Sequence, residues 1–394
     1  PATLAIPDMD ATQIFRSYVR FIGVTAIATA GIFGIIKSLR IVAGSFKIAA
    51  HAFKHGEAAG QERTDKDLST MTILIGVLAT TLGAGFFFAS LGTSLTVALV
   101  GLALTVLFSF FFASVAANAI ATTARNPVSG MTMLTIIVSS IVLLNFGLSG
   151  TTGMFFVMAI AGMVCTALSV SGQAVTDLKA GYWLGSTPAV QQRVKFWGIV
   201  ASAVAGALTI MLLAKTFQFG EAAVGDARAV LAAPQASIMK ALVEGFMSQQ
   251  PVAYILFGAG AMVAVVMEML GVPALVFALG MYLPLELNTP ALVGGFLAHL
   301  IAKRSEKAGG ERGRSMRERG VVIASGLMAG GALGGVLGAA LRLIPSYSEE
   351  WVKTPFYDNV AASQIVSAVL FLALCLYVWW GAVKEGEGKR GGEA

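Results

Sequence analysis

Eleven apolar runs can be read along the chain, at about 18–36, 70–90, 93–121, 131–148, 153–174, 196–214, 251–269, 272–287, 289–302, 320–341 and 361–381, with short polar segments between them. Most reach the roughly 20 residues that a helix needs to cross a hydrocarbon core about 30 Å thick. Backbone N–H and C=O groups find no partners in lipid, so a spanning run must satisfy them internally, as a helix does. The pattern predicts an all-α integral membrane protein, a polytopic helical bundle of eleven membrane segments with broken or re-entrant helices.

The breaks are local. "GMYLPLELNTP", residues 280–290, places two prolines, a glutamate, an asparagine and a tyrosine between apolar runs. Residues 272–283 and 291–302 give only twelve positions on each side, too few to cross alone. Two thin spans and one re-entrant hairpin both fit. A second break, "TARNPVSGM" at 123–131, has the same plan of Asn, Pro and then Gly. Irregular backbone at membrane depth survives where it lines a cavity, and paired Gly/Pro interruptions point to a transporter binding site.

Composition strengthens this picture. The chain has 394 residues, 56% hydrophobic and 12% charged, with a mean hydropathy of +0.79, against about 25% charged residues in a soluble domain. Its net charge of +6 is concentrated in short loops. With alternating spans, twenty of the 27 Lys and Arg residues fall on the side that holds loops 37–69, 176–195 and 303–319 and the tail. The positive-inside rule makes these segments cytoplasmic, with an outside amino end. That distribution excludes nucleic acid as a partner. The predicted setting is the cell (inner) membrane, multi-pass, with residues 1–394 forming a single membrane domain that is part of a larger transporter. Residues 215–250, mixed in polarity and interrupted by Pro234, read as two extracytoplasmic interfacial helices. Gly326, Gly330, Gly334 and Gly338 recur every four residues and predict a smooth packing face.

Four stretches in this order and spacing, "NPVSGM" at 126–131, "TDLKAGYWLGSTPAVQQ" at 176–192, "APQASIMKALVEG" at 233–245 and "GMYLPLELNTPALVGG" at 280–295, resemble the oligopeptide transporter family in its bacterial branch. The likeness covers residues 15–384. It implies proton-coupled secondary transport of small peptides, with related plant and fungal members carrying metal chelates. It implies neither an enzyme nor a cofactor. The family's motif falls on Tyr282, Pro284 and Pro290 here. Family members have a long additional amino-terminal half, so this chain reads as the carboxy-terminal part, completed by that half or by a homo-oligomer. A metal-chelate transporter, a channel and a non-transporting membrane scaffold are the competing readings.

Candidate site residues follow. Glu268, in "VVMEMLG", is the acid set deepest in apolar sequence, where charge is expensive and suggests a proton-coupling role. Its bland reading is a carboxylate reaching interfacial water. Glu286, between the prolines, is the second proton-coupling candidate, and lining the cavity mouth explains it equally well. Asn126, Ser129 and Asn288 offer amide and hydroxyl groups to a peptide backbone, or simply cap helices. Tyr282 is a candidate wall for peptide side chains. Asp177, Lys179, Tyr182 and Gln192 form a cytoplasmic gate or structural clasp. His51 and His55 have an i, i+4 spacing, but no third ligand follows in pattern, so no metal is expected. His299, one turn before Lys303 and Arg304, reads as snorkelling to the interface. No "GxxxxGK[ST]", "HExxH" or "GxSxG" occurs, so ATP hydrolysis and protease chemistry have no support.

Overall fold

The computed structural model describes residues 6–19, 21–34, 36, 62–123, 128–219, 230–231, 233–247, 254–283, 285–344 and 359–384. They are overwhelmingly helical: α1 (Ala11–Ile14), α2 (21–34), α3 (Thr70–Ser90), α4 (Leu95–Thr123), α5 (Val128–Asn145), α6 (Gly150–Trp183), α7 (Pro188–Thr216), α8 (Pro234–Met247), α9 (Tyr254–Met269), α10 (Ala274–Tyr282), α11 (Leu285–Ala308), α12 (Gly310–Leu341) and α13 (Val360–Val383). Among the described residues, seven helices are long and apolar enough to cross a membrane. Each of the eleven apolar runs has a helix at its place, but α9 and α10 have only 16 and 9 residues, and α11 ends in charge. The chain is an all-α multi-pass membrane protein. A two-residue parallel pair, Gln218–Phe219 with Val230–Leu231, is the sole strand structure among the described residues.

The chain falls into two compact units. The first comprises Pro1–Ser202 and Ala233–Leu283. Its core is α4, α5 and α6, with α8 laid against α5 and α6. Lipid tails are as apolar as Leu, so these helices associate by close packing rather than by escape from water. Gly101 on α4 shows how: a Cβ there would lie 2.4 Å from Cε1 of Phe156 on α6, so the missing side chain seats the ring. Phe156 in turn packs on Phe88 of α3, with ring centroids 4.9 Å apart.

Within 215–250, where two interfacial helices are expected, the described residues beyond the end of α7 hold the helix α8. Residues 220–229 lie outside them, and α8 buries Leu242, Val243 and Met247 in the core. Amphipathic periodicity alone does not distinguish a helix lying on lipid from one lying on protein.

The second unit comprises Ala203–Ala232 and Pro284–Ala394, with α11, α12 and α13 packed together. Residues 303–319, expected as a loop, are helical up to a tight turn. Gly309 (φ 63°) and Gly310 (φ 47°) take left-handed backbone that side chains resist, and the Ser305 hydroxyl donates to the Gly313 carbonyl at 2.7 Å. The basic residues are compatible with helix, and Arg314 pairs with Glu318 one turn on at 2.9 Å. The expected loop 37–69 lies outside the described residues up to position 61. The four-residue glycine row on α12 meets no neighbouring atom within 4 Å of its Cβ positions, whereas Gly381 on α13 closes on Ile323 of α12. Ile323 lies on the same face as that row, three residues before Gly326, so the α12–α13 contact sits before the glycines and not on them.

Candidate functional site

Two irregular features shape the first unit. At the end of α9 the chain reverses: Gly271 has φ 74°, its N–H bonds the Glu268 carbonyl at 3.1 Å, and the Val272 N–H bonds the Met267 carbonyl at 3.0 Å. This is the glycine-terminated helix end that satisfies otherwise orphaned carbonyls. Pro273 then starts α10, whose 9 residues rise about 13 Å, under half the hydrocarbon core. Leu283 is extended (φ −72°, ψ 138°), as the residue before a proline must be. Helix α10 is therefore too short to cross alone, whereas the run at 291–302 lies within the 24-residue α11. The break falls at Leu283–Pro284, earlier than Pro290. Helix α11 runs through Pro290, which has no N–H for the Glu286 carbonyl one turn back.

The second feature is α2, which touches three neighbours through glycine. A Cβ on Gly31 would lie 2.8 Å from the carbonyl oxygen of Gly130 on α5. On Gly260 of α9 it would lie 2.3 Å from the Ile22 carbonyl oxygen, and on Gly23 it would lie 3.1 Å from Cβ of Tyr282 on α10. Helix α2 is thus seated by backbone contact against α5, α9 and α10. Gly130 belongs to "NPVSGM", so that motif has a packing role at this crossing. Pairing Gly31 with Gly130 was invisible in the sequence, because no local spacing relates them.

The predicted site residues distribute as follows. Glu268 is half-buried in the last turn of α9, at the hairpin's bend. A carboxylate there faces the negative end of the helix dipole, so helix stability does not account for it. Tyr282 ends α10 and is 3% exposed, packed in the core. Asn288 is half-buried in the first turns of α11, in the second unit. Glu286 lies two residues earlier on α11 and Ser129 in the first turn of α5, with side chains outside the described set; Asn126 lies outside it altogether. Sequence reading missed a polar face on α5. Thr132, Thr135, Ser139 and Ser140 are buried, and the Ser139 and Ser140 hydroxyls have no hydrogen-bond partner among the described residues. The signal was the three- and four-residue spacing of 132, 135 and 139.

The four residues expected to form a gate or clasp divide among separate contacts. Asp177 meets Lys195 at 2.5 Å. Lys179 sits instead over the rings of Tyr182 and Trp183, 4.8 and 5.4 Å from their centroids. Gln192 binds a third group: its Nε2 donates to Asp67 Oδ1 and its Oε1 accepts from the Leu68 N–H, both at 3.0 Å. Arg63 donates to the Gly185 carbonyl at 2.8 Å and to the Thr187 hydroxyl at 3.0 Å, while the Ala189 N–H donates to the Lys66 carbonyl at 2.9 Å. The segment before α3 is thereby sewn to the α6–α7 turn. Arg63 and Asp67 were overlooked because a charged loop normally reads as solvated.

His51 and His55 lie outside the described residues, and His299 is exposed on α11. No group of three metal-ligating side chains occurs among the described residues.

Residues 3–342 match the family model described as OPT oligopeptide transporter protein. A Haemophilus influenzae protein named "Putative oligopeptide transporter" is 28% identical over 363 residues, covering 83% of this chain and 57% of that relative. The chain therefore spans little more than half the length of the relative it matches. No solved structure matches it.

Proposed function

The chain belongs to the OPT oligopeptide transporter family, and from that membership we propose that it carries part of the path of a secondary active transporter importing small oligopeptides with protons across the cell (inner) membrane. The observation that carries this reading is the α9–α10 hairpin. Its second arm is too short to cross and ends at a proline, an arrangement tolerated at membrane depth where it lines a cavity. Glu268 at the bend is the proposed proton carrier, with Glu286 second. Asn126, Ser129 and Asn288 are the proposed polar contacts to the peptide backbone. Tyr282 reaches substrate only when the hairpin's end leaves Gly23.

A non-transporting scaffold subunit is the competing reading. A labelled tripeptide separates the two. The purified chain in proteoliposomes is expected to bind it saturably without accumulating it under a pH gradient. Absence of binding would favour the scaffold, and uphill uptake by residues 1–394 would show that they suffice for transport.

Orientation has its own test. The basic-residue asymmetry puts the α11–α12 turn and the carboxy terminus in the cytoplasm. A cysteine placed at Ser315 is expected to resist an impermeant thiol reagent in intact cells and to react after permeabilisation. Strong labelling of intact cells would reverse the orientation.

A further inference from the structure

We propose that a groove beside the Arg63–Gln192 clasp holds one membrane phospholipid with a zwitterionic, primary-amine headgroup, of the phosphatidylethanolamine class. The groove has a volume of about 330 Å³, and its lining includes Asp67, Gln192 and Lys195 together with Ile73, Val170 and Phe196. The clasp ties the start of α7 to the residues just before α3. The polar lining comes from those two segments, with apolar Leu68 and Phe196 beside it, and Ile73, Ile199 and Val170 of α6 complete the apolar side. Ile199, also in the lining, lies about 10 Å along α7 from Gln192 at helical rise. A polar mouth leading into an apolar trough is the shape of a headgroup followed by an acyl chain. Ile73 and Phe196 are 52% and 58% exposed, on faces that this chain leaves to lipid.

The charges select the headgroup. Within the lining, Asp67 carries one negative charge and Lys195 one positive, so a ligand with one of each is matched and a purely anionic one is not. Lys195 spends one of its three N–H donors on Asp177, which leaves donors for a phosphate. Asp67 accepts from Gln192 through Oδ1, and its second oxygen suits a primary ammonium as a charge-assisted acceptor. A quaternary amine has no N–H to donate and loses that bond.

Native mass spectrometry of the full chain, released from nanodiscs of equimolar phosphatidylethanolamine, phosphatidylcholine and phosphatidylglycerol, tests this. One phosphatidylethanolamine is expected to stay bound, retained at least tenfold over either competitor, and Asp67→Asn is expected to abolish that preference. Equal retention of phosphatidylglycerol would show capture by surface charge, equal retention of phosphatidylcholine would show an apolar site alone, and no retention would show no site. Each overturns the proposal. Displacement of the lipid by millimolar tripeptide would reassign the groove to peptide termini, which present the same two charges. Headgroup selectivity is read on the unaltered chain, so it does not depend on the variant folding.

Discussion

Replacing Gly260 with alanine is expected to lower the thermal midpoint of the detergent-purified chain by several degrees, and valine is expected to prevent recovery of a monodisperse protein. The added Cβ would sit 2.3 Å from the Ile22 carbonyl oxygen, 2.9 Å from Cβ of Thr25 and 3.1 Å from the Ala26 nitrogen. Two of these are backbone atoms, which cannot rotate away as the end of a side chain can. The helix pair α2–α9 must separate, with the loss of packing that takes the place of the hydrophobic effect in lipid. Overpacking of this kind costs about 1–3 kcal/mol, and a domain of a few hundred residues loses about 2–4 °C per kcal/mol. Gly326→Ala is the matched control. A Cβ there meets nothing within 4 Å, and alanine exceeds glycine in helix propensity by about 1 kcal/mol, so its midpoint should hold or rise. Equal melting of Gly260→Ala and the unaltered chain would show that the close approach of α2 and α9 does not exist in solution.

That contrast marks what the sequence could and could not convey. Helices were legible because apolar length in lipid permits little else, and each predicted run became one. Glycines spaced at four residues on α12 advertised a contact that no described residue makes there, while unpatterned Gly31, Gly130 and Gly260 bring α2 into backbone contact with α5 and α9. Helix crossings depend on which residues of distant segments meet, and that information is not periodic. The clasp shows the same limit. Asp177 and Gln192 stood out in a polar loop, but their partners Lys195 and Asp67 lie 18 and 125 residues away in sequence, where no local pattern relates them. At the hairpin, Pro284 and the short run before it located the break, whereas Pro290 sits close enough to the start of α11 to be accommodated.

The bend of that hairpin is where the second large effect is expected. Glu268→Gln in the assembled transporter should abolish pH-driven uphill accumulation of peptide, by at least tenfold, while leaving peptide exchange across the membrane. Glutamine keeps the side chain's volume and its capacity to hydrogen-bond but holds no titrating proton. A carrier so altered can still alternate between its two faces with substrate, but the gradient has lost its handle on the equilibrium between them. The position supports this role: the acid sits in the last turn of α9, where a carboxylate opposes the helix dipole, and the adjoining arm is too short to cross. Glu286→Gln is the decisive comparison. If it abolishes accumulation while Glu268→Gln preserves the pH dependence, the coupling acid lies at the start of α11. If both variants accumulate peptide as before, neither acid carries the proton, and coupling resides in other residues of the transporter.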